Sequence, residues 1–128
     1  MTRTKFVLIS ISAVILAIVA IKARGTQPGV PKAYAVAEIN VTDPEAYKQY
    51  IHAVTPVVAQ FGGKYLVRAG TVVPLEGDAP AGRVVIIEFP SLATAKSFEA
   101  SPEYLKIAPL RQRASRSKLF LVEGSPIP

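Results

Sequence analysis

Arg83-Val84-Val85-Ile86-Ile87-Glu88-Phe89 is the stretch that decides the fold. Gly77-Asp78-Ala79-Pro80-Ala81-Gly82 before it is turn chemistry, and the heptapeptide itself reads as a strand. Its two alternating sets, Val84 with Ile86 and Val85 with Ile87 and Phe89, are both apolar. Both faces of this strand must therefore be covered. Helices of the same chain can cover one face. Nothing else in a chain of 128 residues is left to cover the other, so a second copy of the sheet is the natural candidate.

Working outward, Lys64 to about Pro74 reads as the strand before that turn, and Ala33 to Val41 as an earlier one. In the latter, Ala35, Ala37, Ile39 and Val41 form a small apolar set, while Tyr34, Val36, Glu38 and Asn40 mix an aromatic with polar groups. Between them, Thr42-Asp43-Pro44-Glu45 offers a helix start, either with Asp43 as N-cap and Pro44 in the first turn or as a Thr42/Glu45 capping box. Tyr47, Tyr50, Ile51, Val54, Val58 and Phe61 then make one apolar stripe. Pro56 lies inside it and is expected to kink or split the helix near Ala53 to Thr55. Gly62-Gly63 ends it. After the central strand, Ser91 caps a short helix to about Ala100, Ser101-Pro102-Glu103 restarts a helix to about Ser115, and Ser117 to Glu123 is the last strand.

The order β-α-β-β-α-β is the split pattern of ferredoxin-like domains: an α+β fold with a four-stranded antiparallel sheet and helices on one face. The organisation expected is a signal peptide or membrane anchor over 1–25, a linker over 26–32, the ferredoxin-like domain over 33–124 and a tail over 125–128.

The net charge of +6 at first resembles a nucleic-acid signal, but its distribution argues otherwise. Arg3, Lys5, Lys22 and Arg24 flank the apolar run Phe6 to Ile21, in which only Ser10 and Ser12 are polar. From Thr26 onward eleven basic residues face nine acidic ones, leaving +2. The basicity belongs mostly to a targeting segment, and no nucleic-acid partner is expected. The run is short of the ~20 apolar residues that span a bilayer comfortably. Ala23-Arg24-Gly25 is a weak cleavage pattern crowded by charge, so a cleaved signal and a retained anchor both stay open. Either places the domain outside the cytoplasm (periplasmic or extracellular) or at the membrane, which it touches only through this segment. Lys106, Arg111, Arg113, Arg116 and Lys118 form a basic patch without an intervening acid. It can attract an acidic ligand, but a solvated helix end is the plainer reading.

The absence of cysteine excludes disulfides, thiolate metal sites and a Cys nucleophile. With His52 as the lone histidine, a multi-histidine metal site within one chain is excluded, and no metal or cofactor is expected.

Val41-Thr42-Asp43-Pro44-Glu45-Ala46-Tyr47, Gly62-Gly63-Lys64-Tyr65-Leu66-Val67-Arg68, Val85-Ile86-Ile87-Glu88-Phe89-Pro90-Ser91, Ser101-Pro102-Glu103-Tyr104 and Val122-Glu123-Gly124 carry a resemblance. Their order and spacing are similar to those of the family called "domain of unknown function 1330". The likeness covers Ala33 to Gly124. It implies the dimeric α+β barrel superfamily, in which two ferredoxin-like sheets face each other around a pocket. Ala69 departs from the pattern, standing where a glycine is commoner, and the N-terminal apolar segment is an addition. The family has no established reaction. The wider superfamily includes cofactor-independent monooxygenases, haem enzymes and lactone isomerases, which is analogy at the level of fold. Haem would require His52 as axial ligand from the first helix.

Candidate site residues follow from parity. A hairpin centred near Asp78 sets Arg68 opposite Glu88 and Thr71 opposite Val85, on one face with Leu66, Val84 and Ile86. A charged pair on an apolar face can orient a polar or anionic ligand, with Glu88 as a base if burial raises its pKa. The plainer alternative is a structural ion pair across the dimer cavity. Glu38, Asn40 and Tyr34 are candidates to share that face as ligand-binding residues, and His52, beside the apolar stripe, is a candidate base at a pocket mouth or a boundary residue. Tyr65, Tyr47 and Tyr50 read as core. Two functions stand on this: a homodimeric module binding a small hydrophobic or weakly acidic molecule in the barrel, or a cofactor-independent monooxygenase- or isomerase-like enzyme with Arg68, Glu88 and His52 as its candidate residues.

Overall fold

The computed structural model describes residues 29–126. The apolar run Phe6 to Ile21, with the signal or anchor expected there, lies outside the described residues. Among the described residues no helix is long and apolar enough to cross a membrane.

The elements are β1 (Ala33–Val41), α1 (Pro44–Gln60), β2 (Lys64–Arg68), β3 (Arg83–Phe89), α2 (Leu92–Glu99), α3 (Pro102–Ala114) and β4 (Ser115–Glu123). The strands form one antiparallel sheet in the order β2-β3-β1-β4, which is the ferredoxin-like order. Each helix starts on a side-chain cap. Asp43 accepts from the Ala46 amide, Ser91 from the Thr94 amide and Ser101 from the Tyr104 amide, each at 3.1 Å. These satisfy donors that the first helical turn leaves unpaired.

The helices lie on the sheet face that carries Ala33, Ala37 and Ile39 of β1 and Val85 and Phe89 of β3. Against these pack Tyr47, Tyr50, Val54 and Val58 of α1, which is the stripe the sequence shows. Phe98 of α2 bridges the layers, its ring 5.1 Å from Phe89 and 4.6 Å from Tyr104. Gly82, just before β3, is required there: its φ is +93° and a Cβ would strike the Ile39 carbonyl of the neighbouring strand.

Two expectations about elements need correction. Pro56 does not split α1, which runs unbroken from Pro44 to Gln60. The Thr55 hydroxyl donates to the Ile51 carbonyl at 2.7 Å, and Val54 and Val58 hold both sides of the proline onto the core. Nor does β2 reach Pro74. It ends at Arg68 because Ala69 takes a left-handed φ of 59° and sends its N–H to the Val84 carbonyl at 2.9 Å. The segment from Ala69 to Gly82 is a loop, with Val73 and Leu75 exposed.

Candidate functional site

Burial of α1 and α3 against the sheet leaves a cavity of about 260 Å³ between the two layers. The alanines of β1 make it. Ala35 and Ala37 stand under the helices where larger residues would fill the gap, and both line the cavity. Val85 and Ile87 of β3 and Leu119 and Leu121 of β4 continue the apolar floor.

Above this floor the cavity is polar in a directed way. Tyr47 and Tyr50 enter from α1, Tyr104 and Arg111 from α3, Arg83 from β3, and Arg68 with Tyr65 from β2. Arg111 is only 8 % exposed, yet its hydrogen-bond needs are poorly met. One terminal nitrogen reaches the Tyr104 hydroxyl at 3.5 Å, the long limit of such a bond, and its buried Nε has no partner. The guanidinium lies 5.9 Å from the Tyr50 ring centroid. Arg83 repeats the motif, with a buried Nε that has no partner and a guanidinium 5.1 Å from the Tyr47 ring. Arg68, exposed at the rim, stacks 4.1 Å from the Tyr65 ring and donates to the Thr55 hydroxyl at 2.8 Å.

Burial pushes the hydroxyls of Tyr47, Tyr50 and Tyr65 above their ordinary pKa, so they stay protonated hydrogen-bonding groups. Burial alone would lower the pKa of Arg111, but the Tyr104 and Tyr50 hydroxyls facing it carry it above the usual value. It is a fixed cation. Glu99, the last residue of α2, also lines the cavity. Burial raises its pKa, and Arg111 opposes the shift. Three arginines against one glutamate give the cavity walls a positive field, suited to an anionic or weakly acidic group.

The candidates expected from the sequence are not gathered here. The register pairs Lys64 with Glu88 and Arg68 with Val85, with a bulge between Tyr65 and Val67. The register alone moves Arg68 along the strand away from Glu88, and the extra residue turns Arg68 to the helix face while Glu88 keeps to the open face, so the expected Arg68–Glu88 pair does not form. Glu88 instead approaches Lys32 at 4.0 Å. Glu38, Asn40 and Tyr34 stand on the open face with it, opposite Lys118, Arg116 and Val122 respectively. His52 is exposed on α1. Of the expected residues, Arg68 alone reaches the cavity.

The sequence reading missed Glu99, Tyr104 and Arg83, and placed Arg111 in a solvated basic patch. Lys106, Arg113, Arg116 and Lys118 of that patch are exposed; Arg111 is not. The missed signal is spacing: Tyr104, Ala108 and Arg111 fall at i, i+4 and i+7, on the buried side of α3.

A family model described as "Domain of unknown function (DUF1330)" matches residues 32–125. The chain belongs to this family. The fold it carries is α+β, a four-stranded antiparallel sheet with helices on one face. The DUF1330 domain seen here is similar to the RPA0582 protein of unknown function from Rhodopseudomonas palustris. The two share 22% identity and a TM-score of 0.59, over 86% of this chain and 92% of that one. A structure of the methylated RPA0582 protein gives 21% identity and a TM-score of 0.61, over 86% and 90%. SnoaB, a cofactor-independent oxygenase from Streptomyces nogalater, is similar at 16% identity and a TM-score of 0.51, over 75% of this chain and 95% of that one. At these identities the likeness is one of fold. No curated protein matches the chain.

Proposed function

We propose that this is an exported ligand-binding domain that holds a small, mostly apolar, weakly acidic molecule between its sheet and its helices. Arg111 carries the reading. A charged side chain buried in an apolar core, with a donor left over, costs free energy unless something accepts from it. A ligand oxygen entering beside Tyr104 would supply that acceptor, and the aromatic rings would pack a planar body. The cavity exceeds the ~150 Å³ that accommodates a benzene ring and falls just short of the ~300 Å³ where drug-sized pockets begin, which suits a one- or two-ring molecule.

The run Phe6 to Ile21 supports export or anchoring. Pairing of two copies through the open sheet face is supported by what that face exposes: Phe120 and Val122 are both about half accessible. The second reading is a cofactor-independent enzyme. It is favoured by Arg111 and the Tyr104 hydroxyl standing together, an arrangement able to hold an oxyanion. That a protein of this fold is described as a cofactor-independent oxygenase is compatible with it.

Native mass spectrometry of the protein purified from its host tests the first reading. The expected result is a dimer retaining one small acidic molecule per chain. A chain that carries nothing, and whose unfolding temperature is unmoved by saturating one- and two-ring acids and phenols, would overturn it.

A further inference from the structure

Glu99 is, among the described residues, the one carboxylate on the cavity wall, and it makes no ion pair. Its position follows from the chain path. α2 ends at Glu99, the hydroxyl of Ser101 donates to the Phe98 carbonyl at 2.7 Å, and α3 begins at Pro102. That corner turns Glu99 toward the cavity entered by Tyr104 and Arg111. The other charged or titratable groups around the cavity are Tyr47 and Tyr50 from α1, Arg83 from β3, and Arg68 with Tyr65 at the rim.

We infer that Glu99 is the proton acceptor of this cavity: a phenol or enol enters neutral, gives its proton to the Glu99 carboxylate, and stays as the anion held by Arg111. The inference rests on the ligand-binding reading above and adds the ligand's class and its ionisation. The argument is one of charge count. Of the three arginines on the walls only Arg111 acts on Glu99, so an anion arriving beside an ionised Glu99 would set two negative charges against that one cation. A neutral acid crosses the apolar walls at a lower desolvation cost. The internal transfer then moves the negative charge from Glu99 to the ligand without changing the net charge of the site. The ligand's O–H bond breaks with its electron pair left on the oxygen, a new O–H bond forms on Glu99, and nothing is oxidised or reduced. Burial already favours the neutral form of Glu99, which is the direction the transfer needs.

The probe is 4-nitrophenol, whose phenolate absorbs visible light while the phenol does not. It is mixed with the full chain at a mildly acidic pH, below the probe's own pKa but above the range in which Glu99 takes up its proton, and the absorbance of the free phenolate is subtracted. Calorimetry in buffers of different ionisation enthalpy measures binding and proton exchange separately. The expected result is saturable binding, a phenolate band that grows in step with it, and no net proton release to the buffer. Glu99→Gln, compared at saturating probe, is expected to show a band at least tenfold weaker. Glu99→Asp is expected to restore part of it. Binding with no phenolate band, or a full band in Glu99→Gln, overturns the role of Glu99 and leaves the ligand-binding reading standing. An absence of any binding overturns both. If Glu99→Gln does not fold, the unaltered chain decides: a phenolate band accompanied by a proton released to the buffer contradicts internal transfer.

Discussion

Arg111 and Glu99 show how a single buried charge shapes its surroundings. Arg111 lies on the face of α3 that also buries Tyr104 and Ala108, so helical periodicity leaves its side chain no way out to water. Its stem packs in the core while its head finds aromatic faces and a single long hydrogen bond. Glu99 sits in the same low-polarity surroundings and pays for them in stability. Its folded pKa is raised, so between its unfolded and folded values the native state binds more protons than the unfolded chain. Its contribution to stability therefore falls as pH rises through that window, and the penalty is complete above it. Glu99→Gln should unfold at a higher temperature than the unaltered chain at neutral pH, with the gap closing as the pH drops below the ordinary carboxylate range. Thermal unfolding of both proteins across pH checks this; a gap independent of pH would mean that Glu99 is not desolvated.

At the scale of elements, what alternation and capping can decide was legible, and what one inserted residue decides was not. The caps at Asp43, Ser91 and Ser101, the α1 stripe and the order of the strands all follow from local signals that the packing reinforces. Parity fails at β2, because the irregularity between Tyr65 and Val67 shifts the phase and sends Arg68 to the helix face. No residue type in Lys64-Tyr65-Leu66-Val67-Arg68 announces a bulge. The cavity was hidden for a similar reason. The small set on β1 was visible, but whether alanines are filled over or left open depends on how α1 and α3 lie. Ala35→Leu tests that element directly. It should fill part of the void, leave the unfolding temperature unchanged or raised, and weaken binding of a small aromatic acid at least tenfold. A drop of several kcal/mol in stability, the ~1–3 kcal/mol or more of an overpacked core, would mean the space is not there. Calorimetry and thermal unfolding of the one variant read both outcomes.

The whole molecule presents two different faces of one sheet. The helix side carries the cavity. The open side carries Val36, Ile86, Phe120 and Val122 beside the cross-strand couple Glu38 and Lys118. An apolar centre with compensating charges is a surface suited to its own copy, and the doubly apolar β3 is the sequence feature that asks for it. Burial of more than ~1,000 Å² in total is the usual threshold for a stable interface. Sedimentation of the chain from Thr26 onward should give a dimer, and Phe120→Glu with Ile86→Lys should give a folded monomer. A monomer at micromolar concentration in the unaltered chain would leave that face unexplained. The central claim is that the ligand belongs on the helix side, inside each chain, and not between two sheets. The most direct test is an amide and arginine Nε–H NMR titration of the labelled chain with 4-nitrophenol. Shifts centred on Arg111, Arg83, Tyr104 and Ala35, with Glu38, Ile86 and Glu88 still, are the result expected. Shifts centred on Glu38, Ile86 and Glu88, with Arg111 still, would contradict it.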